Sequence, residues 1–366
     1  MSGKPTIDAP LAAAGTPRAR WPVAALWTLA LVVAFEAAIH RHRLSLMEGL
    51  DAVFDLKRQA LAASEPACDV VIFGDSLLFP LRPSVVEGAL GPGVKAFNAS
   101  WGFFGVEAYE LTLEAYLAAR PAPRVIVAGF EPSFAAVAAD MLSVRRSPVL
   151  LSRAFQLLPS GPLVGMLLAR GWWGELWDYA AYCAIPPSGR RRAGLLRAAT
   201  SWIQGRGWRA RGADDERVIA EYRRDGAFVL FTDQTMTRAF ADAQLAGLGG
   251  IRDAGNPQII AAFEDFVSAA QRRGIRVALV NAPVSQYLAS HLEARGARRR
   301  YDEVVRGLRS RHANLIVPEP AFQTLSDDCF GDLGHVNRRG REAFEAWCGS
   351  VLRGMKKNLL DPQNSR

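Results

Sequence analysis

Residues 69–78 read DVVIFGDSLL, a short β-branched run that breaks at Gly74 and passes directly into Asp75 and Ser76. Four further runs share this form. VKAF at 94–97 ends at Asn98, RVIVA at 124–128 at Gly129, RVALV at 276–280 at Asn281, and NLIV at 314–317 at Pro318. Helical periods separate them, near 83–90, 106–120, 257–273 and 299–312, with a last one at 338–354. Apolar runs without polar alternation mark strands buried on both faces, and strands alternating with helices predict an α/β fold with a parallel sheet. Five runs predict five strands joined by right-handed crossovers.

The 366-residue chain is half apolar and 22% charged, which excludes a disordered polymer unable to offset its ordering entropy. Its four cysteines form no C-x-x-C pair, so neither a disulfide scaffold nor a zinc ribbon fits, and no metal site is expected. The net charge is +8, carried by basic residues that are nearly all arginine and scattered, apart from clusters at Arg190–Arg192 and Arg298–Arg300. No helix-turn-helix, finger or aromatic-basic pattern accompanies them, so nucleic acid is not an expected partner. Such a basic surface suits anionic lipid or glycan.

Residues 1–20 are small, polar and proline-punctuated, and read as a disordered tail. Residues 21–39 (WPVAALWTLALVVAFEAAI) carry one charge, Glu36, and His40 to Arg43 close the segment. This length suits an uncleaved transmembrane anchor. Lys4, Arg18 and Arg20 before it slightly outnumber Arg41 and Arg43 after it. That bias predicts a cytoplasmic N-terminus and a periplasmic domain. Residues 45–64 form an amphipathic stretch that reads as a stalk. The α/β domain is expected at 44–134 and 257–356, with a short tail at 357–366. Between them, 135–256 contain no clear strand and read as a mostly helical insertion over the sheet's carboxyl edge. That insertion includes WWGELW at 172–177.

Open α/β sheets place reactive groups at the carboxyl ends of strands. Ser76, on a strand-to-helix turn, can receive the positive end of the following helix and turn its own N–H toward a developing oxyanion. Asp332 lies three residues before His335 on a glycine-containing turn, DLGH, so the carboxylate can hold one imidazole nitrogen while the other accepts a serine proton. Of the five histidines, His335 alone follows a strand's carboxyl end. Asn98–Gly105 (NASWGFFG) follows the second strand, and its glycines permit N–H groups to approach a substrate carbonyl.

GDSLL around Ser76, the Asn98–Gly105 block, GDLGH around His335 and NAPVSQY at 281–287 together resemble the GDSL/SGNH hydrolase superfamily. The resemblance implies an SGNH hydrolase-like, flavodoxin-like three-layer sandwich around a five-stranded parallel sheet. It implies that Ser76 is the nucleophile, His335 the general base and Asp332 its orienting partner. The N–H groups of Ser76 and of Gly102 or Gly105 would form the oxyanion hole, with Asp75, Asn98 and Glu131 lining the site. No cofactor is implied. One departure stands out. The third block of the superfamily is usually Gly-x-Asn-Asp, and here Gly129-Phe130-Glu131-Pro132 stands in its place. A charged Glu131 would oppose the oxyanion, so either it turns away, or burial raises its pKa, or this branch uses different groups.

An N-terminal anchor before such a domain is similar to the SGNH-like proteins of alginate and cellulose O-acetylation and to the D-alanylation protein of teichoic acid synthesis. That implies a bacterial inner-membrane protein whose periplasmic domain moves or removes an acyl group on a cell-envelope carbohydrate, alongside a membrane-bound O-acyltransferase. The alternatives are a carbohydrate deacetylase, a lipid esterase, or a catalytically weak polysaccharide-binding scaffold. Trp172, Trp173 or Trp177 could offer a sugar platform. In a flavodoxin-like strand order Cys68 and Cys348 would be neighbours, leaving Cys329 for Cys183 in an oxidising compartment.

Overall fold

The computed structural model describes residues 23–41, 49–63, 67–101, 106–131, 160–169, 171–185, 192–204, 212–247 and 257–360. In chain order its strands are β1 (Val70–Phe73), β2 (Ala96–Asn98), β3 (Val125–Ala128), β4 (Arg276–Leu279), β5 (Val284–Ser285), β6 (Leu315–Ile316) and β7 (Thr324–Leu325). Five of them form a wholly parallel sheet in the order β2-β1-β3-β4-β6. β5 and β7 make a separate two-residue pair. The order reverses between β1 and β3, the switch point where doubly wound sheets open a crevice.

The helices before the insertion are α1 (Val23–Arg41), α2 (Gly49–Ala62), α3 (Pro83–Leu90) and α4 (Glu107–Ala119). Within it lie α5 (Ser160–Ala169), α6 (Trp173–Ala184), α7 (Arg192–Ile203), α8 (Ala213–Asp225) and α9 (Arg238–Gly247). After it come α10 (Pro257–Arg272), α11 (Gln286–Ala294), α12 (Ala297–Arg311) and α13 (Arg338–Leu360).

Strand side chains alternate between two cores, as the pleat requires. Val71, Phe73, Ile126, Ala128, Val277 and Leu279 face α2, α4 and α10. Val70, Ile72, Val125, Val127 and Ala278 face α3 and α13. The first core is the aromatic one: Phe130 stacks on Phe263 at 4.5 Å, and Phe73 meets Phe266 at 5.5 Å. Fully burying a phenylalanine side chain contributes about 1.5–3 kcal/mol, so this layer carries much of the hydrophobic stabilisation.

Several expectations change here. The stretch read as a stalk is α2, and Val53, Phe54 and Leu61 are fully buried in the first core. The transmembrane anchor expected at 21–39 is not supported. Its described part folds as α1, but among the described residues no helix is long and apolar enough to cross a membrane. α1 has 19 residues, about 28 Å at the helical rise, and includes Glu36, His40 and Arg41. Cys68 and Cys348 sit in core clusters on opposite faces of the sheet, so they do not pair, and the structure shows all four cysteines as thiols. The last helix runs on to Leu360, past the boundary expected at 356. The tail at 1–20 and residues 361–366 lie outside the described residues.

Candidate active site

β1 delivers the chain to Gly74, where a Cβ would lie 2.5 Å from the Leu78 side chain, so the close return of the next turn requires glycine. That turn is a single 3-10 turn, Ser76–Leu78, rather than the start of an α-helix. The expected full helix dipole behind Ser76 is therefore reduced to one turn. Asp75 caps it, its carboxylate accepting the Leu77 N–H at 2.9 Å. Among the described residues the Ser76 N–H donates to no acceptor.

The other half of the site comes from the loop between β7 and α13. Asp332 Oδ1 accepts the N–H groups of Gly334 at 2.9 Å and His335 at 2.7 Å. This tight turn brings the His335 ring back onto the same carboxylate, with Nδ1 2.9 Å from Oδ1 and 2.8 Å from Oδ2. The opposite nitrogen, Nε2, is 2.7 Å from Ser76 Oγ. Nucleophile, base and orienting carboxylate thus form one hydrogen-bonded line across 259 residues of sequence separation. Burial pushes the Asp332 carboxyl up, but the His335 ring and the two N–H groups outweigh it and hold it below the usual carboxylate range.

The residues around this line are themselves fixed. Asn98 does not present its amide to the site. Its Nδ2 donates to the carbonyls of Leu78 at 3.0 Å and Leu81 at 2.8 Å, and its Oδ1 accepts the Ser100 N–H. Asn98 therefore clamps the serine turn to the block after β2. Lys57 of α2, fully buried, donates to the Ser100 carbonyl at 2.6 Å, its Nζ 5.0 Å from the centroid of the Phe79 ring. Burial pulls its pKa well below the usual value for an ammonium. Arg82, just past the turn, holds Glu345 of α13 through its Nε at 2.9 and 3.0 Å.

Glu131 is 2% exposed, and its Oε1 accepts the Ala282 N–H at 2.6 Å. Burial, with the charge of Asp75 added, raises its carboxyl well above the usual range against the pull of that N–H. The first two alternatives named for this residue find support: its Oε1 is turned onto the Ala282 N–H, and burial raises its carboxyl. Asp75 is raised to about 6 by burial, held back by the Leu77 N–H and by His335.

Part of the insertion belongs to this centre, which the sequence did not reveal. Phe231 meets the His335 ring edge-on at 6.2 Å. Gln234 Nε2 donates to the Gly331 carbonyl at 3.2 Å, and Gln244 of α9 accepts the Leu333 N–H at 2.8 Å. Val218, Ile219 and Tyr222 of α8 join the first core. The tryptophans behave otherwise. Trp172 packs against the first core, while Trp173 and Trp177 point outward from α6 at 61% and 77% exposure. Among the described residues neither of these two is hydrogen-bonded to or stacked on Ser76, His335 or Asp332. Gly102 and Gly105 lie outside the described residues. Among the described residues no cluster of three or more His, Cys, Asp or Glu could hold a metal ion.

Comparison with known proteins adds no identity: no family model matches the chain, and no curated protein matches it significantly.

Proposed function

We propose that this chain is a serine acyl-transfer enzyme of the GDSL/SGNH type, working through an acyl-enzyme on Ser76. The observation that carries the reading is the unbroken line from Ser76 Oγ through His335 to Asp332, with contacts of 2.7 and 2.8 Å. Ser76 Oγ attacks the carbonyl carbon of an ester while His335 Nε2 takes its proton. The resulting oxyanion faces the Ser76 N–H. Collapse expels the alcohol, which takes the proton from His335 and leaves an acyl-serine. A second hydroxyl, from water or a sugar, then gives its proton to His335 and attacks the acyl carbon, and Ser76 Oγ leaves and takes that proton back from His335, restoring the enzyme. Asp332 keeps the ring in the tautomer that presents a free Nε2. Burial raises the Glu131 carboxyl, which favours the uncharged form that does not oppose the oxyanion.

The substrate class follows from the resemblance rather than from the geometry: an acyl group, such as acetyl, on a cell-envelope carbohydrate. The apolar surface of helix α1 supports attachment to a membrane, the extracytoplasmic location rests on the basic residues flanking 21–39 and on the resemblance, and a membrane-bound O-acyltransferase is the proposed partner. A fluorophosphonate serine probe tests the chemistry. Labelling of the wild type that is lost in both Ser76→Ala and His335→Ala is the expected result. A folded wild-type protein that stays unlabelled would overturn the proposal.

A further inference from the structure

Helix α1 is apolar on every side. Leu26, Trp27, Leu29, Leu31, Val32 and Phe35 are each more than half exposed, and at the helical angle per residue they point all round its axis. A helix apolar all round requires an apolar medium around it. Among the described residues the protein covers only its end, where Ile39, 4% exposed, packs on Ala198 and Leu195 of α7. Helix α7 therefore shares the surroundings of α1.

The outer side of α7 is apolar as well. Leu196 and Ile203 are 58% and 77% exposed there, Trp202, one turn past Ala198 on the flank, is 67% exposed, and Ala198 and Ser201 on the inner side are buried. Thr200, between Leu196 and Ile203 on the outer side, turns its hydroxyl back onto the Leu196 carbonyl at 2.9 Å, so this stripe asks for no water there. Exposed basic residues stand beside it: His40 and Arg41 close α1, and Arg197 lies on α7.

We infer that α7 lies in the interface of an anionic lipid bilayer beside α1, as a second attachment of the domain to the membrane. A single protein face could cover the stripe of α7 but not the whole circumference of α1, whereas lipid covers both. A tryptophan at the edge and basic groups beside an apolar stripe are the composition that interfacial helices show, and the net charge of +8 favours anionic headgroups. Two attachments fix how the domain faces the membrane, where a lone helix would let it swivel. The inference rests on α1 residing in lipid.

Spin labels in the full-length protein test it. In a Cys183→Ala background, Val33→Cys, Ile203→Cys and Arg299→Cys each carry one nitroxide in vesicles of phosphatidylethanolamine and phosphatidylglycerol. Collisions with oxygen should exceed those with a water-soluble nickel complex at positions 33 and 203, with the reverse at 299. Lipid contact at 33 with a water-like signal at 203 would overturn the role of α7 while leaving the α1 anchor standing. A label at 203 shielded from both quenchers would mean that protein covers the stripe, and would overturn it too. Water-like signals at 33 and 203 together would remove the anchor as well.

Discussion

The main-chain N–H of Ala282 donates to Glu131 Oε1 at 2.6 Å, joining the segments after β3 and β4 through a carboxyl whose pKa burial raises well above the usual range. An acid whose pKa is higher in the fold than in the unfolded chain binds its proton more tightly when folded. Stability then falls as pH rises above the unfolded value of about 4. For Asp75 that loss ends near its folded value of about 6, while for Glu131 it continues above. Calorimetry from acid to neutral pH should show this fall as a melting temperature that drops in the wild type relative to the two amide variants, because Asp332 and Lys57 contribute slopes of the opposite sign. Asp75→Asn should remove the fall between about pH 4 and 6. Glu131→Gln, which keeps an acceptor for Ala282, should flatten the profile above it. Parallel profiles for all three proteins would contradict the raised pKa values of these two acids.

Asp332→Asn tests the orienting carboxylate. The amide can still accept the Gly334 and His335 N–H bonds, so the loop should stay folded. It favours the wrong imidazole tautomer, and the rate of fluorophosphonate labelling should fall by about 10³–10⁴. Because the Asp332 carboxyl is held below its usual range, it also contributes stability that is present above the unfolded value and lost as pH falls through the folded one. Wild type should therefore lose more stability on acidification than the amide variant.

Lys57→Met keeps the bulk of the side chain and removes its hydrogen bond to Ser100. Burial opposes the ammonium, so between its lowered folded pKa and the unfolded value of about 10 the folded chain binds fewer protons than the unfolded one, and stability rises with pH across that window. The variant should lose this slope and remain folded at neutral pH. Labelling should nevertheless slow by about tenfold, the kinetic equivalent of one hydrogen bond. Hydrogen exchange in peptides covering 98–106 should speed up. Unchanged exchange and unchanged labelling would reduce Lys57 to filler.

Gly331 is needed for a steric reason. A Cβ there would lie 2.3–2.4 Å from atoms of the Phe231 side chain, which borders His335. Gly331→Ala should destabilise by about 1–3 kcal/mol and slow labelling as the ring is pushed toward the histidine. Phe231→Ala added to it should recover stability, as read from thermal melts. A double variant no more stable than the single one would refute the clash.

The sheet was legible because each strand is a short apolar run closed by Gly, Asn or Pro, a local pattern independent of its partners. The serine turn and the Asp332–His335 loop were legible for a related reason: each is a compact motif at the end of such a run. What stayed hidden depends on contacts far away in sequence. Nothing in ADDERVIAEYRRD at 213–225 singled it out from the rest of the helical insertion, yet Val218, Ile219 and Tyr222 are buried in the first core. Residues 227–237 have no period at all, and only the fold shows Phe231 and Gln234 against the His335 loop. Asn98 looked like a group facing substrate, and its amide proved committed to two carbonyls of the serine turn.

The contacts that Phe231, Gln234 and Gln244 make with the loop carrying His335 bear on how this chain can be cut. A protein engineer who excised 135–256 as a detachable cap would remove those three supports and the buried side chains of α8. A deletion that ends near residue 212 keeps the scaffold around the histidine but takes Leu163, Leu167 and Tyr179 out of the first core, whereas one that ends at 256 keeps the motif and discards what aims it.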